Sequence, residues 1–171
     1  MIWLKDLLFL LVIPGMMVAG FPYLVLLTRR ESPRWPTLSA MGWGVSGLLL
    51  IAGGLLALLV CVADFARKGR GTPFPLDPPT TLVMTGLYWW VRNPMYVAVL
   101  NVVLGEAAVF RSGELIGYWF SVLLGFHLFV VLFEEPTLRR TFGPAYEAYC
   151  AAVPRWVPNR LRLPLPEVAP S

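Results

Sequence analysis

The chain has 171 residues, 57% of them hydrophobic and 14% charged, with a formal net charge of +4. Soluble domains carry roughly 25% charged residues, so this composition excludes an ordinary soluble fold and points to one membrane domain. The basic excess lies in arginines at the ends of apolar runs, which excludes nucleic acid as a partner and suits anionic lipid headgroups instead. Cys61, Cys150 and the single His127 provide no disulfide framework, paired-cysteine motif or histidine cluster, so no metal is expected.

Residues 7–28 carry no charge and are long enough to cross a ~30 Å hydrocarbon core. They read as a retained first membrane helix rather than a cleaved signal, because the apolar run is too long and lacks a small-residue cleavage site. Pro14-Gly15 and Gly20-Phe21-Pro22 predict kinks or close helix contact there. The arginine- and proline-punctuated stretch 29–36 reads as a surface loop. Residues 38–63 form a second span, whose Gly42, Gly44, Gly47, Gly53 and Gly54 predict a close helix-packing face rather than a ligand site. Residues 64–85 hold charges, glycines and four prolines and read as a long extended crossing, anchored by Phe74, Leu76, Leu82 and Val83.

Residues 93–110 form the third span, with Pro94 at its start, where proline is tolerated. Ser112-Gly113 reads as a tight turn into a fourth span, residues 115–133, that ends at Glu134-Glu135-Pro136. Beyond it, Leu138, Phe142, Tyr146, Tyr149 and Val153 recur at spacings of three and four, which predicts one amphipathic helix over 137–155 lying along the interface. The fold class expected is an all-α integral membrane protein of about four transmembrane helices, with a C-terminal helical hairpin and an interfacial C-terminal helix. Its parts are a two-helix region 1–63, a motif-bearing loop 64–93, a hairpin 94–135, and the interfacial helix and tail 136–171. With both termini cytoplasmic, ten basic residues face inward and four outward, which favours that orientation in an inner (plasma) membrane.

The tight turn forces the third and fourth spans to run antiparallel. Arg92-Asn93 and Glu134-Glu135, some forty residues apart, are therefore expected at one membrane face, together with the loop before Gly86 and the helix after Pro136. A cation, an amide, two carboxylates and several tyrosines there could bind an amphiphilic small molecule. The competing reading is an ion pair that merely closes a helix pair. Trp89 and Trp90 read as interface anchors. Glu106 is costly at its depth, which usually marks function, but a pair with Arg111 or, protonated, a bond to another helix stands at least level with catalysis. For His127 the default reading is a hydrogen bond inside the bundle, with proton transfer as the alternative.

Three motifs recur in fixed order: Gly86-Leu87-Tyr88-Trp89-Trp90-Val91-Arg92-Asn93-Pro94-Met95-Tyr96, then Glu134-Glu135-Pro136-Thr137-Leu138, then Phe142-Gly143-Pro144-Ala145-Tyr146-Glu147-Ala148-Tyr149. Together they resemble the isoprenylcysteine carboxyl methyltransferase family and its phospholipid-methyltransferase relatives, over about residues 70–157. The resemblance implies an integral membrane methyltransferase that uses S-adenosyl-L-methionine and acts on a lipidic or amphiphilic acceptor, a carboxylate, thiol or amine. Leu82, Val83 and Gly86 would then line the way in for the cofactor. Tyr88, Asn93, Pro94 and Tyr96 would surround its nucleoside and methionine parts, and Glu134 or Glu135 would meet its ribose or amino group. Arg92, Glu135 and His127 become the catalytic candidates, Glu135 or His127 as base if the acceptor is an amine or hydroxyl. Replacing either Glu134 or Glu135 by alanine is expected to abolish cofactor binding and leave the fold intact.

Two positions depart from that pattern. The family's histidine before the proline is Asn93, which cannot titrate near neutrality. The basic residue that prenylcysteine enzymes carry before the acidic pair is absent from Val130-Val131-Leu132-Phe133, which argues against a prenylcysteine carboxylate as acceptor. Two rival readings remain: a sterol-reductase-like enzyme with NADPH, for which the chain is short of helices, and a lipid-binding module without catalysis.

Overall fold

The computed structural model describes residues 14–28, 41–68 and 82–158, and all regular structure among them is helical. The 29–36 loop, the proline-rich centre of the crossing and the C-terminal prolines lie outside the described residues. Four apolar helical segments make the bundle. A π-helical turn, Met16–Gly20, leads into α1 (Phe21–Leu27). Helix α2 spans Met41–Lys68, α3 Pro94–Phe110 and α4 Gly113–Phe129. A second π-helical turn, Val130–Glu134, carries α4 without interruption into α5 (Glu135–Phe142), and α6 is Pro144–Ala152.

Two stretches, Gly42–Asp64 and Gly113–Phe142, are long and apolar enough to cross a membrane, and Met16–Leu27 and Pro94–Phe110 are shorter apolar helices. Much of this apolar surface points outward. Leu48, Leu49, Leu55, Leu56 and Leu59 on α2, and Phe120, Leu124 and Leu128 on α4, are exposed. A soluble protein rarely leaves so large a contiguous patch in water, whereas lipid tails solvate it without cost.

Helices α2 and α3 cross antiparallel at backbone contact. A Cβ on Gly47 would lie 2.7 Å from the Gly105 carbonyl oxygen, and one on Gly54 2.7 Å from that of Ala98. Small residues permit this approach, and dispersion between the backbones replaces the hydrophobic effect that lipid abolishes. The glycine face expected from the sequence is divided, however: Gly42 and Gly53 are exposed, with nothing within 4 Å of an added Cβ. Leu58, Ala98, Val99, Leu100, Val122 and Phe126 fill the core among α2, α3 and α4.

The boundaries differ from the sequence expectation in four places. Helix α2 runs on to Lys68, so residues 64–68 are helical and not part of an extended crossing. The turn between α3 and α4 is made by Arg111, left-handed at φ 49°, while Ser112 caps α4 by accepting the Leu115 N–H at 3.2 Å. The fourth span does not stop at Pro136. The Glu135 N–H bonds back five residues to the Val130 carbonyl, and this wider turn absorbs the N–H that Pro136 lacks. Finally, the 137–155 stripe is two helices broken at Gly143, whose φ of 51° and ψ of −126° a side chain would resist.

The same device occurs near the N-terminus. The Phe21 N–H reaches back to the Met16 carbonyl, and Pro22, next in line, has no N–H for the Met17 carbonyl. The Tyr118 hydroxyl donates to that carbonyl instead, at 3.1 Å, and so fastens the first helix to α4.

Candidate functional site

The site forms where the start of α3 meets the second π-helical turn. Gly86 opens it at φ 64°, a conformation glycine adopts freely, and a Cβ there would collide with the Asp64 carboxylate. A 3-10 turn, Gly86–Trp89, follows. It sends Tyr88 inward against Cys61 and Val83, and leaves Trp89 and Trp90 exposed on the outside. In the extended stretch before it, Val83 joins that cluster, while Leu82 turns to Tyr146, Tyr149 and Val153. The amphipathic stripe of α5 and α6 is therefore laid on residues 82–84, and its tyrosines are buried against protein.

Arg92 and the acidic pair do converge. Glu135, 3% exposed, accepts from Arg92 Nη1 at 3.0 Å and from Arg155 at 2.7 Å (Nε) and 3.0 Å (Nη2). Arg139, one helical turn on, adds a third cation at 3.7 Å. Both carboxylate oxygens are thus committed to guanidinium groups. The hydrogen bond to Glu135 pushes the Arg155 guanidinium still further above its ordinary range. Arg92 Nη1 also donates to Cys150 Sγ at 2.8 Å, and Arg92 Nε is buried without a partner among the described residues.

Glu134 faces a different environment. Its Oε2 accepts the Tyr96 hydroxyl at 2.9 Å, and Oε1 takes no hydrogen bond from the described residues. The Tyr96 ring lies 4.5 Å from Phe126 and 6.4 Å from Trp156, centroid to centroid. A carboxylate beside Tyr96, whose ring neighbours Phe126 and Trp156, suits a cationic centre or a polyhydroxyl group.

Asn93 is buried, but it does not cap α3 with its side chain. Its Nδ2 donates to the Arg155 carbonyl at 3.2 Å, and Pro94 behind it starts the helix from a buried position. His127 Nδ1 accepts from the Trp156 indole at 3.3 Å. An indole N–H only donates, so Nδ1 is the unprotonated nitrogen of that ring. Glu106 lies apart, ten residues beyond Tyr96, about 15 Å along the axis. It makes no ion pair with Arg111, and its Oε2 is buried with no partner among the described residues. Among the described residues neither structural arrangement expected for Glu106 is present: Arg111 leaves the helix as the left-handed turn residue, and no hydrogen bond from another helix reaches the Glu106 carboxyl.

The sequence did not single out Arg155 and Trp156 as site residues, and it read Tyr149 only as part of the amphipathic stripe and the third motif and Cys150 only as an unpaired cysteine. Tyr149 donates its hydroxyl to the Tyr88 carbonyl at 2.6 Å, and burial pushes that hydroxyl above its ordinary range, so it stays a neutral donor. The backbone N–H of Arg92 donates to the Pro154 carbonyl at 2.9 Å. The signal available was Pro154-Arg155-Trp156-Val157-Pro158, a cation and an aromatic held between two helix-breaking prolines.

The family model for phospholipid methyltransferases matches residues 43–145, which takes in all but the first two residues of α2, the Gly86–Trp89 turn that forms the doorway of the site, α3, α4 and α5. No curated protein and no solved structure matches the chain.

Proposed function

The chain belongs to the phospholipid methyltransferase family, whose members are membrane methyltransferases, and from that premise we propose that it uses S-adenosyl-L-methionine to methylate a lipidic or amphiphilic acceptor at the Arg92–Glu134 face. The observation that carries the reading is a pair of contacts. Arg92–Glu135 at 3.0 Å and Tyr96–Glu134 at 2.9 Å join the two motifs across some forty residues and leave Glu134 Oε1 without a hydrogen bond from the described residues.

The donor set fits the cofactor. Glu134 Oε1 is an open acceptor for ribose hydroxyls or an ammonium group, and Arg92 Nε is a buried donor in want of an acceptor such as a carboxylate. When bound, S-adenosyl-L-methionine supplies an electrophilic methyl that passes in line to the acceptor's lone pair as the carbon–sulfur bond breaks and leaves a neutral thioether. The chain's part is then alignment and exclusion of water. Tyr96 fixes the rotamer of Glu134, and Tyr96, Phe126 and Trp156 give an apolar wall for the donor and the acceptor's lipid part. Glu135 acts by positioning: with both oxygens held by arginines it ties α5 to Arg92 and is poorly placed to take a proton. His127, whose Nδ1 already accepts from Trp156, is equally committed. A carboxylate or thiolate acceptor needs no base, and an amine acceptor would give up its proton to Glu134.

Calorimetry of the purified protein with S-adenosylhomocysteine and, separately, with NADPH tests the reading. Binding of the former alone is expected. Binding of NADPH alone would turn the assignment to a reductase, and binding of neither would leave a lipid-binding module. The acceptor class is then found by incubating lipid extracts with labelled S-adenosyl-L-methionine and identifying the labelled product.

A further inference from the structure

Residues 153–156 lie beyond the stretch that matches the family and have no helical structure, yet each of the four engages the site. Val153, extended at φ −120° and ψ 125°, is buried with Tyr146 and Tyr149. The Pro154 carbonyl accepts the Arg92 N–H, and the Arg155 carbonyl accepts Asn93 Nδ2. The Arg155 guanidinium clasps Glu135 through two hydrogen bonds, and Trp156 spans from His127 on α4 to Tyr96 on α3. Val157 beyond is exposed. A segment with no ladder of its own is held only by the groups it covers, so its closure depends on them.

We propose that residues 153–156 form a strap that closes over the site: Trp156 is a positioning residue that completes the wall beside Tyr96 and Glu134, and Arg155 is the latch that holds it to Glu135. The latch explains why Glu135 carries so many cations. Arg92 alone would balance its charge, and the bidentate Arg155 contact adds a fixed direction. A ligand reaching Glu134 Oε1 would share that seam with Trp156, so occupancy of the site and order in the strap are coupled by mass action. The strap rests on the methyl-donor reading above, and its test separates the two.

Trypsin cuts after arginine, so the Arg155–Trp156 bond reports the strap directly in the full-length protein in detergent. S-adenosylhomocysteine at saturation is expected to slow that cleavage severalfold, and Arg155→Lys, which keeps the cut site but loses the two-pronged contact, to speed it without ligand. In calorimetry, Trp156→Ala is expected to weaken S-adenosylhomocysteine about tenfold and Trp156→Phe to restore most of the loss. An unchanged cleavage rate in wild-type protein that does bind S-adenosylhomocysteine overturns the strap and leaves the methyltransferase reading standing. Absence of binding overturns both.

Discussion

Glu134 and Glu135 are adjacent in sequence and opposite in role: Glu134, the last residue of the π-helical turn, meets Tyr96, and Glu135, the first of α5, meets the arginines. The sequence treats the two as interchangeable, with either alanine variant losing cofactor and keeping its fold. Their surroundings separate them. Glu135→Ala leaves Arg92 and Arg155 facing each other in a largely buried site, and breaking a buried pair of this kind costs about 3 kcal/mol. It should lower the unfolding midpoint in detergent substantially. Glu134→Gln keeps an oxygen that accepts from the Tyr96 hydroxyl and removes only the charge, so the midpoint should move little while S-adenosylhomocysteine affinity falls at least about tenfold, the loss of one charge-assisted hydrogen bond. If calorimetry finds wild-type affinity in Glu134→Gln, the donor site lies elsewhere.

At the scale of elements, the crossing of α2 and α3 sets where the doorway sits relative to Glu134. Glycines on α2 look alike in sequence but not in the bundle. Gly47→Ala drives a methyl into the Gly105 backbone and should destabilise by about 1–3 kcal/mol, as overpacking does. Gly53→Ala meets open space and should be neutral or gain roughly 0.5–1 kcal/mol from helix propensity. Thermal unfolding of the two variants side by side checks the crossing, and equal midpoints would contradict it. The prolines show the same dependence on context. Pro136 looks like a helix end and Pro22 like a kink or a close contact, yet each stands beyond a π-helical turn with one residue between, and the helix continues past both.

For the molecule as a whole, the polar groups of the site come from Arg92-Asn93 before α3, from α3, the second π-helical turn, α5, α6 and residues 153–156, so binding at the site ties together segments that are far apart in the chain. A ligand at about 100 times its dissociation constant stabilises the folded state by about 2.7 kcal/mol. S-adenosylhomocysteine at that level should raise the unfolding midpoint by several degrees in wild type, by much less in Glu134→Gln, and NADPH should not raise it. A nanoDSF series measures all three, and an equal rise with NADPH would refute selectivity for the methyl donor.

The sequence by itself determined that the chain is an apolar helical bundle, that its third and fourth helices pair through a tight turn, and that Arg92 and Tyr96 share a face with Glu134 and Glu135. These follow from local properties: runs of apolar residues, the length of a helix against a bilayer, and a loop too short to allow any but an antiparallel return. Only the tertiary structure decided which carboxylate the arginines hold and which meets Tyr96, that the helix runs on through Pro136, that Glu106 has no ion pair among the described residues, and that Arg155 reaches Glu135 while Trp156 reaches His127 and Tyr96. The passage through Pro136 rests on a local five-residue hydrogen bond, and the others depend on the rotation of a helix about its own axis or on a contact twenty or more residues away in the chain. A side-chain pattern fixes which residues lie on one face. Packing against the neighbouring helices fixes where that face points.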